Sequence, residues 1–107
     1  MFKQPDGSDK WINVTEEDLH PHLKARMLQR GVTLREIERA LNEGWETSDA
    51  KLGTLGKTIV YHYHAEWEGK FYEEKEITVY YKVIDGHFML LTVKARYGKN
   101  FLRGDLL

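Results

Sequence analysis

Two periods of apolar residues divide the chain. Up to Gly44 they recur every three or four positions, and beyond Trp45 at every second one, the spacings of a helix face and a strand face. Leu23 and Met27 mark a first helix, and Leu34, Ile37 and Leu41 a second. Thr15-Glu-Glu-Asp18 has the form of a capping box, but Pro21 suits a helix's first turn and not its interior. The first helix therefore starts near His20 or Pro21, with 15 to 19 as a short turn before it. Gly31 ends it as a left-handed cap. The second is marked by Thr33 as N-cap, Glu36 at the third position, and Val32 and Ile37 as a hydrophobic staple, and Gly44 stops it.

Strand signals follow. Residues 57 to 67 alternate, with Ile59, Tyr61, Tyr63, Ala65 and Trp67 on one face and Val60, His62, His64 and Glu66 on the other. After a turn at Glu68-Gly69-Lys70, residues 71 to 84 place Ile77, Val79, Tyr81 and Val83 together. Asp85-Gly86 is a two-residue hairpin signal. The last strand, 87 to 97, sets Met89, Leu91, Val93 and Ala95 against Phe88, Leu90, Thr92, Lys94 and Arg96. Asp49 to Lys57, with Gly53 and Gly56, is expected to be a mobile loop, and Trp45 to Ser48 is a candidate fourth strand. Two helices ahead of a three- to four-stranded antiparallel sheet make an α+β two-layer fold. Residues 1–14 form an extended lead-in that Trp11, Ile12 and Val14 tack to the body, 15–98 a single domain, and 99–107 a tail.

Composition narrows what this fold can do. A chain of 107 residues, 41% hydrophobic, supports one core and no second. Its 16 basic and 17 acidic side chains nearly cancel, to a formal −1, so a polyanion would need a local basic cluster. The absence of cysteine excludes disulfides and thiolate-held metals. Apolar runs fall short of a membrane span, and the first ten residues lack a signal peptide's apolar stretch. The expectation is a cytoplasmic protein with no membrane partner.

Three groups of residues are candidates for chemistry. His22, Arg26 and Arg30 share one helix face over about 12 Å. That face borders the buried stripe, so these side chains either bind an anion or lay their stems on the sheet and pair with its carboxylates. Lys94 and Arg96, with Lys99 and Arg103 behind them, form the densest acid-free basic run. A neighbouring strand would add Tyr80 and Lys82 to a face able to bind a phosphodiester. His62 and His64 point the same way on a strand and are weak metal candidates that lack a third ligand. No glycine-rich phosphate loop, nucleophile elbow or acid-rich metal motif is present, and no cofactor is expected.

The segment His22-x-x-x-Arg26-Met27-x-x-Arg30-Gly31-Val32-Thr33-x-x-Glu36-Ile37, followed by Leu90-Leu91-Thr92-Val93, carries a resemblance. It resembles a domain-of-unknown-function family that is similar in organisation to the RelE- and BrnT-type toxins of bacterial toxin–antitoxin systems. The resemblance spans most of residues 20 to 97. It implies a RelE-like fold, metal-independent cleavage of RNA and an antitoxin-like protein partner. Such toxins place basic residues on the sheet and an Arg or Tyr near the C-terminus, where Arg96 and Tyr97 stand here with Lys94 beside them. On this reading His22 takes the proton from a ribose 2′-hydroxyl, and Arg26, Lys94 and Arg96 stabilise the charge on the attacked phosphate. Arg30, Tyr80, Lys82, Tyr97 and Lys99 bind substrate. The near-neutral charge departs from the strongly basic character of those toxins. The alternative is a non-catalytic protein- or nucleic-acid-interaction module, homodimeric through the aromatic strands and the tail.

Overall fold

The computed structural model describes residues 11–104. A 3₁₀ turn at Glu16–Asp18 precedes two helices, α1 (Pro21–Arg30) and α2 (Leu34–Glu43). Four strands follow: β1 (Trp45–Glu46), β2 (Leu55–Trp67), β3 (Lys70–Ile84) and β4 (His87–Gly98). They form one antiparallel meander in the order β1-β2-β3-β4. The chain is thus the α+β arrangement expected of it. Leu23, Met27, Ile37 and Leu41 from the helices meet Ile59, Ile77, Val79 and Val93 from the sheet in a single core.

Local signals account for most element ends. His20 caps α1, its Nδ1 accepting the Leu23 N–H at 3.2 Å, with Pro21 at the first helical position. Gly31 closes α1 at φ +69°. A side chain there would also run into Trp67 and the Tyr97 hydroxyl, so glycine is required both for its conformation and for its size. Thr33 and Glu36 form the expected capping box. Asp85 and Gly86 turn the β3–β4 hairpin with φ of 51° and 78°, the left-handed pair of a type I′ turn.

Before the helices, Trp11–Val14 lie against α2. Asn42 Oδ1 accepts the Ile12 N–H, and Glu38 accepts from Val14 N–H and Trp11 Nε1–H. Ile12 and Val14 are buried. The rest of the expected lead-in, residues 1–10, lies outside the described residues.

Strict alternation misplaces two stretches. Between β3 and β4, Tyr80 faces Thr92 but Tyr81 faces Leu90, so Leu91 is an extra residue in β4. This bulge brings Phe88 and Leu90 to the helix side with Val93 and Ala95 and leaves Met89 half exposed; an uninterrupted alternation had put Phe88 and Leu90 with Lys94. A second bulge lies between His62 and Ala65, where His64 takes φ +45°. The loop after β1 is also shorter than expected, because Leu55, Gly56 and Lys57 already pair with β3.

Candidate functional site

One side of the sheet is covered by the helices. The other carries a row of polar side chains from three strands. Cross-strand pairs set the row: Thr58 opposite Thr78, Val60 opposite Glu76, Thr78 opposite Lys94, Glu76 opposite Arg96, and Tyr80 opposite Thr92. Lys94 and Arg96 flank Ala95 and follow the fully buried Val93, so they project away from the helices. Here lies a hollow of about 410 Å³, lined by Glu76, Tyr80, Lys94 and Arg96 among others, with Trp45 and Leu102 at its rim. The buried hydroxyls of Thr58 and Thr78, 2.9 Å apart, form part of its floor.

Every cation in the hollow meets a carboxylate. Arg96 donates from Nε and Nη2 to both Glu76 oxygens at 2.8 and 3.0 Å. The middle strand holds Glu76, whose side chain is 15% exposed, while that of Arg96 is 65% exposed. Lys94 Nζ lies 3.3 Å from Asp49 Oδ2 and 5.1 Å from the centre of the Tyr80 ring. The Tyr80 hydroxyl donates to Asp49 at 2.8 Å. That hydroxyl, joined by Thr47 and Lys94, holds the Asp49 carboxyl below the ordinary aspartate range. Burial pushes the Tyr80 phenol up, and its contacts with Tyr80 and then Asp49 push the Lys94 ammonium up. The trio therefore keeps one protonation state across the neutral range.

The tail closes one end of this face. Glu74 accepts the Phe101 N–H at 2.9 Å and Arg103 Nη2 at 2.8 Å, and the Arg96 guanidinium lies 4.9 Å from the Phe101 ring centre. A side chain at Gly104 would run into Trp45, so the chain passes close over that ring.

The remaining candidates lie elsewhere. On α1, His22 stacks on His20 with ring centres 6.1 Å apart, and Arg26 reaches Gln29. Arg30 Nη1 donates to the Val93 carbonyl at 3.0 Å, so it docks α1 on β4 through a backbone oxygen and not through the sheet's carboxylates. The helix stripe and the Lys94–Arg96 pair thus occupy opposite sides of the sheet. Tyr97 stacks on Trp67 at 5.2 Å and donates its hydroxyl to the Arg30 carbonyl at 2.6 Å. That bond serves one of the carbonyls left open at the end of α1. Lys99 borders a separate hollow with Lys70, Phe71 and Tyr72. Lys82 pairs with Met89 beyond the bulge and does not line the 410 Å³ hollow. The His62 and His64 rings are 6.1 Å apart, and among the described residues no three His, Cys, Asp or Glu side chains are grouped to hold a metal ion.

Asp49, Glu76 and Thr58 were not among the expected site residues. Glu76 carried a usable signal: its parity in β3 matches Tyr80. Asp49 carried none, because only the fold of its loop brings it to the sheet. No described helix is long and apolar enough to cross a membrane. Comparison with protein-family models, curated proteins and solved structures finds no match.

Proposed function

We propose that this is a RelE/BrnT-like protein that binds RNA on the helix-free face of its sheet and cleaves it without a metal. The observation that carries the reading is the meeting of Glu76, Tyr80, Lys94 and Arg96 in one open hollow. His22 is on the other side of the sheet, so the general base is reassigned to Glu76. It takes the proton of the ribose 2′-hydroxyl, and the 2′-oxygen attacks the adjacent phosphorus. Arg96 and Lys94 stabilise the charge that builds on the phosphate oxygens. The P–O5′ bond breaks, the leaving 5′-oxygen takes a proton from the Lys94 ammonium, and a 2′,3′-cyclic phosphate and a 5′-hydroxyl result. Arginine beside a carboxylate suits this division of labour, since the same pair holds the base in place and neutralises the transition state.

The test is incubation of purified protein with single-stranded RNA in the presence of a chelator. Cleavage to cyclic phosphate ends is expected. Arg96→Gln and Lys94→Gln should each slow it by about 100-fold, and His22→Ala should leave it unchanged. RNA that stays intact at every protein concentration sinks the reading. A second reading rests on Val83, Ile84 and Met89, which are 42 to 49% exposed near the turn of the β3–β4 hairpin and offer apolar area to a second copy or an antitoxin-like partner. Intact RNA together with a dimer in light scattering would favour it.

A further inference from the structure

Asp49 receives an unusual concentration of donors for a half-exposed loop residue. Thr47 Oγ1 donates to it at 2.8 Å, the Tyr80 hydroxyl reaches both its oxygens at 2.8 and 2.9 Å, and Lys94 Nζ lies at 3.3 Å. Of these donors Thr47 belongs to the same loop as Asp49, whereas the Tyr80 hydroxyl and the Lys94 ammonium stand on the sheet and form a receptor that a phosphate oxygen would satisfy equally well. The two carboxylates of the hollow differ in how they are held. Glu76 is fixed in the middle of β3 and largely buried, whereas the Asp49 side chain is 55% exposed and belongs to the β1–β2 connection, residues 47 to 54. That connection is tied by few bonds: Thr47 N–H to the Gly56 carbonyl, and Thr54 to the Lys51 carbonyl.

Gly56 makes the contact feasible. It lies opposite Tyr80 in the β2–β3 register, and a side chain there would overlap the Thr47 methyl and press on the Tyr80 ring. With hydrogen in its place the loop descends until Asp49 touches Tyr80. A second hollow of about 370 Å³ lies on the other side of the trio, sharing Asp49, Tyr80 and Lys94 with the first. Asp49 thus stands on the wall between them. Lifting it would join the two into one groove along the sheet.

We propose that Asp49 is a built-in substitute for a phosphate group, and that residues 47 to 54 form a latch which a phosphodiester displaces from Tyr80 and Lys94. This rests on the reading of the helix-free face as an RNA site. Protonation is not the release route, because Tyr80 keeps the Asp49 carboxyl ionised throughout the neutral range. Competition is: a phosphodiester brings its own charge and oxygens to the same donors, and a strand of them engages Arg96 at once.

Binding of inorganic phosphate and of a short labelled oligouridylate to the full chain tests this. Asp49→Asn and Asp49→Ala should each tighten phosphate binding by about 1.5- to fivefold, the range expected when one exposed ion-pair competitor is removed. Adding Lys94→Gln should cancel the gain. Asp85→Asn, which makes the same change in net charge on the distant hairpin turn, should give none. The latch is overturned if phosphate binding does not tighten, if the gain survives Lys94→Gln, or if Asp85→Asn matches it. A gain for phosphate with no binding of the oligouridylate in any variant upholds the latch and refutes the RNA reading.

Discussion

Lys75 carries a charge to a position that is 2% exposed. Its ammonium donates to the Gly31 carbonyl at 2.5 Å and to Glu36 at 2.9 Å, with the Tyr63 and Tyr97 rings each 5.3 Å away. Burying an unpaired ammonium would cost several kcal/mol, so these partners are what make the site tolerable. They also join the layers, since Glu36 simultaneously closes the α2 capping box and the Gly31 carbonyl ends α1. Lys75→Met should lower stability by about 2 kcal/mol in urea unfolding. Combined with Glu36→Gln it should cost less than the sum of the single changes, because the charge left behind is then removed. In the sequence Lys75 is one member of the run Glu73-Glu-Lys-Glu76 and looks like any solvated charge. The available signal was its phase with Ile77 and Val79, which points it at the core. Arg30 was legible, at the edge of the apolar stripe; its carbonyl partner was not, because that depends on where β4 lies.

At the scale of elements, what was readable is what is local. The Thr33–Glu36 box, the Gly31 cap and the Asp85-Gly86 turn each involve residues at most a few positions apart, and each is present. The two bulges were not readable, because an extra residue is defined only against a partner strand. The tail behaves the same way. Its sequence gives no sign that residues 99 to 104 fold back, yet Glu74 clamps them through Phe101 N–H and Arg103. Chiefly through that backbone N–H, the clamp holds the Glu74 carboxyl below the ordinary glutamate value. A carboxyl depressed on folding stabilises the fold above its unfolded pKa, about 4.3, and loses that contribution as pH falls through the lower folded value. Acidification below about pH 4 should therefore free the tail, read as a change in the fluorescence of Trp45, over which Gly104 passes. Glu74→Gln should remove this acid step and cost about 1 kcal/mol at neutral pH.

The molecule as a whole is a sheet with two unlike faces. One packs on the helices, and the other carries alternating cations and carboxylates that cancel locally as they do over the full chain. Composition conveyed the balance but not its arrangement: Arg96 meets Glu76, 20 positions away, and Lys94 meets Asp49, 45 positions away. The split between His22 and Lys94 also belongs to this scale, for only the assembled layers separate them. Leu91 shows how β4 serves both faces. Leu90 and Val93 both point at the helices although they are an odd number of positions apart, because the ladder skips one residue between them. The strand is therefore one residue longer than its pairing needs, and the fold should tolerate a deletion at this point. Removal of Leu91 would leave Phe88, Leu90, Val93 and Ala95 in unbroken alternation, and a cooperative unfolding transition with native-like amide spectra is expected. Removal of Ala95, where no spare residue exists, should throw Arg96 onto the helix side and prevent folding. Length variation among natural sequences of this fold would then be expected to collect at Leu91, on the wall of the 370 Å³ hollow that it lines.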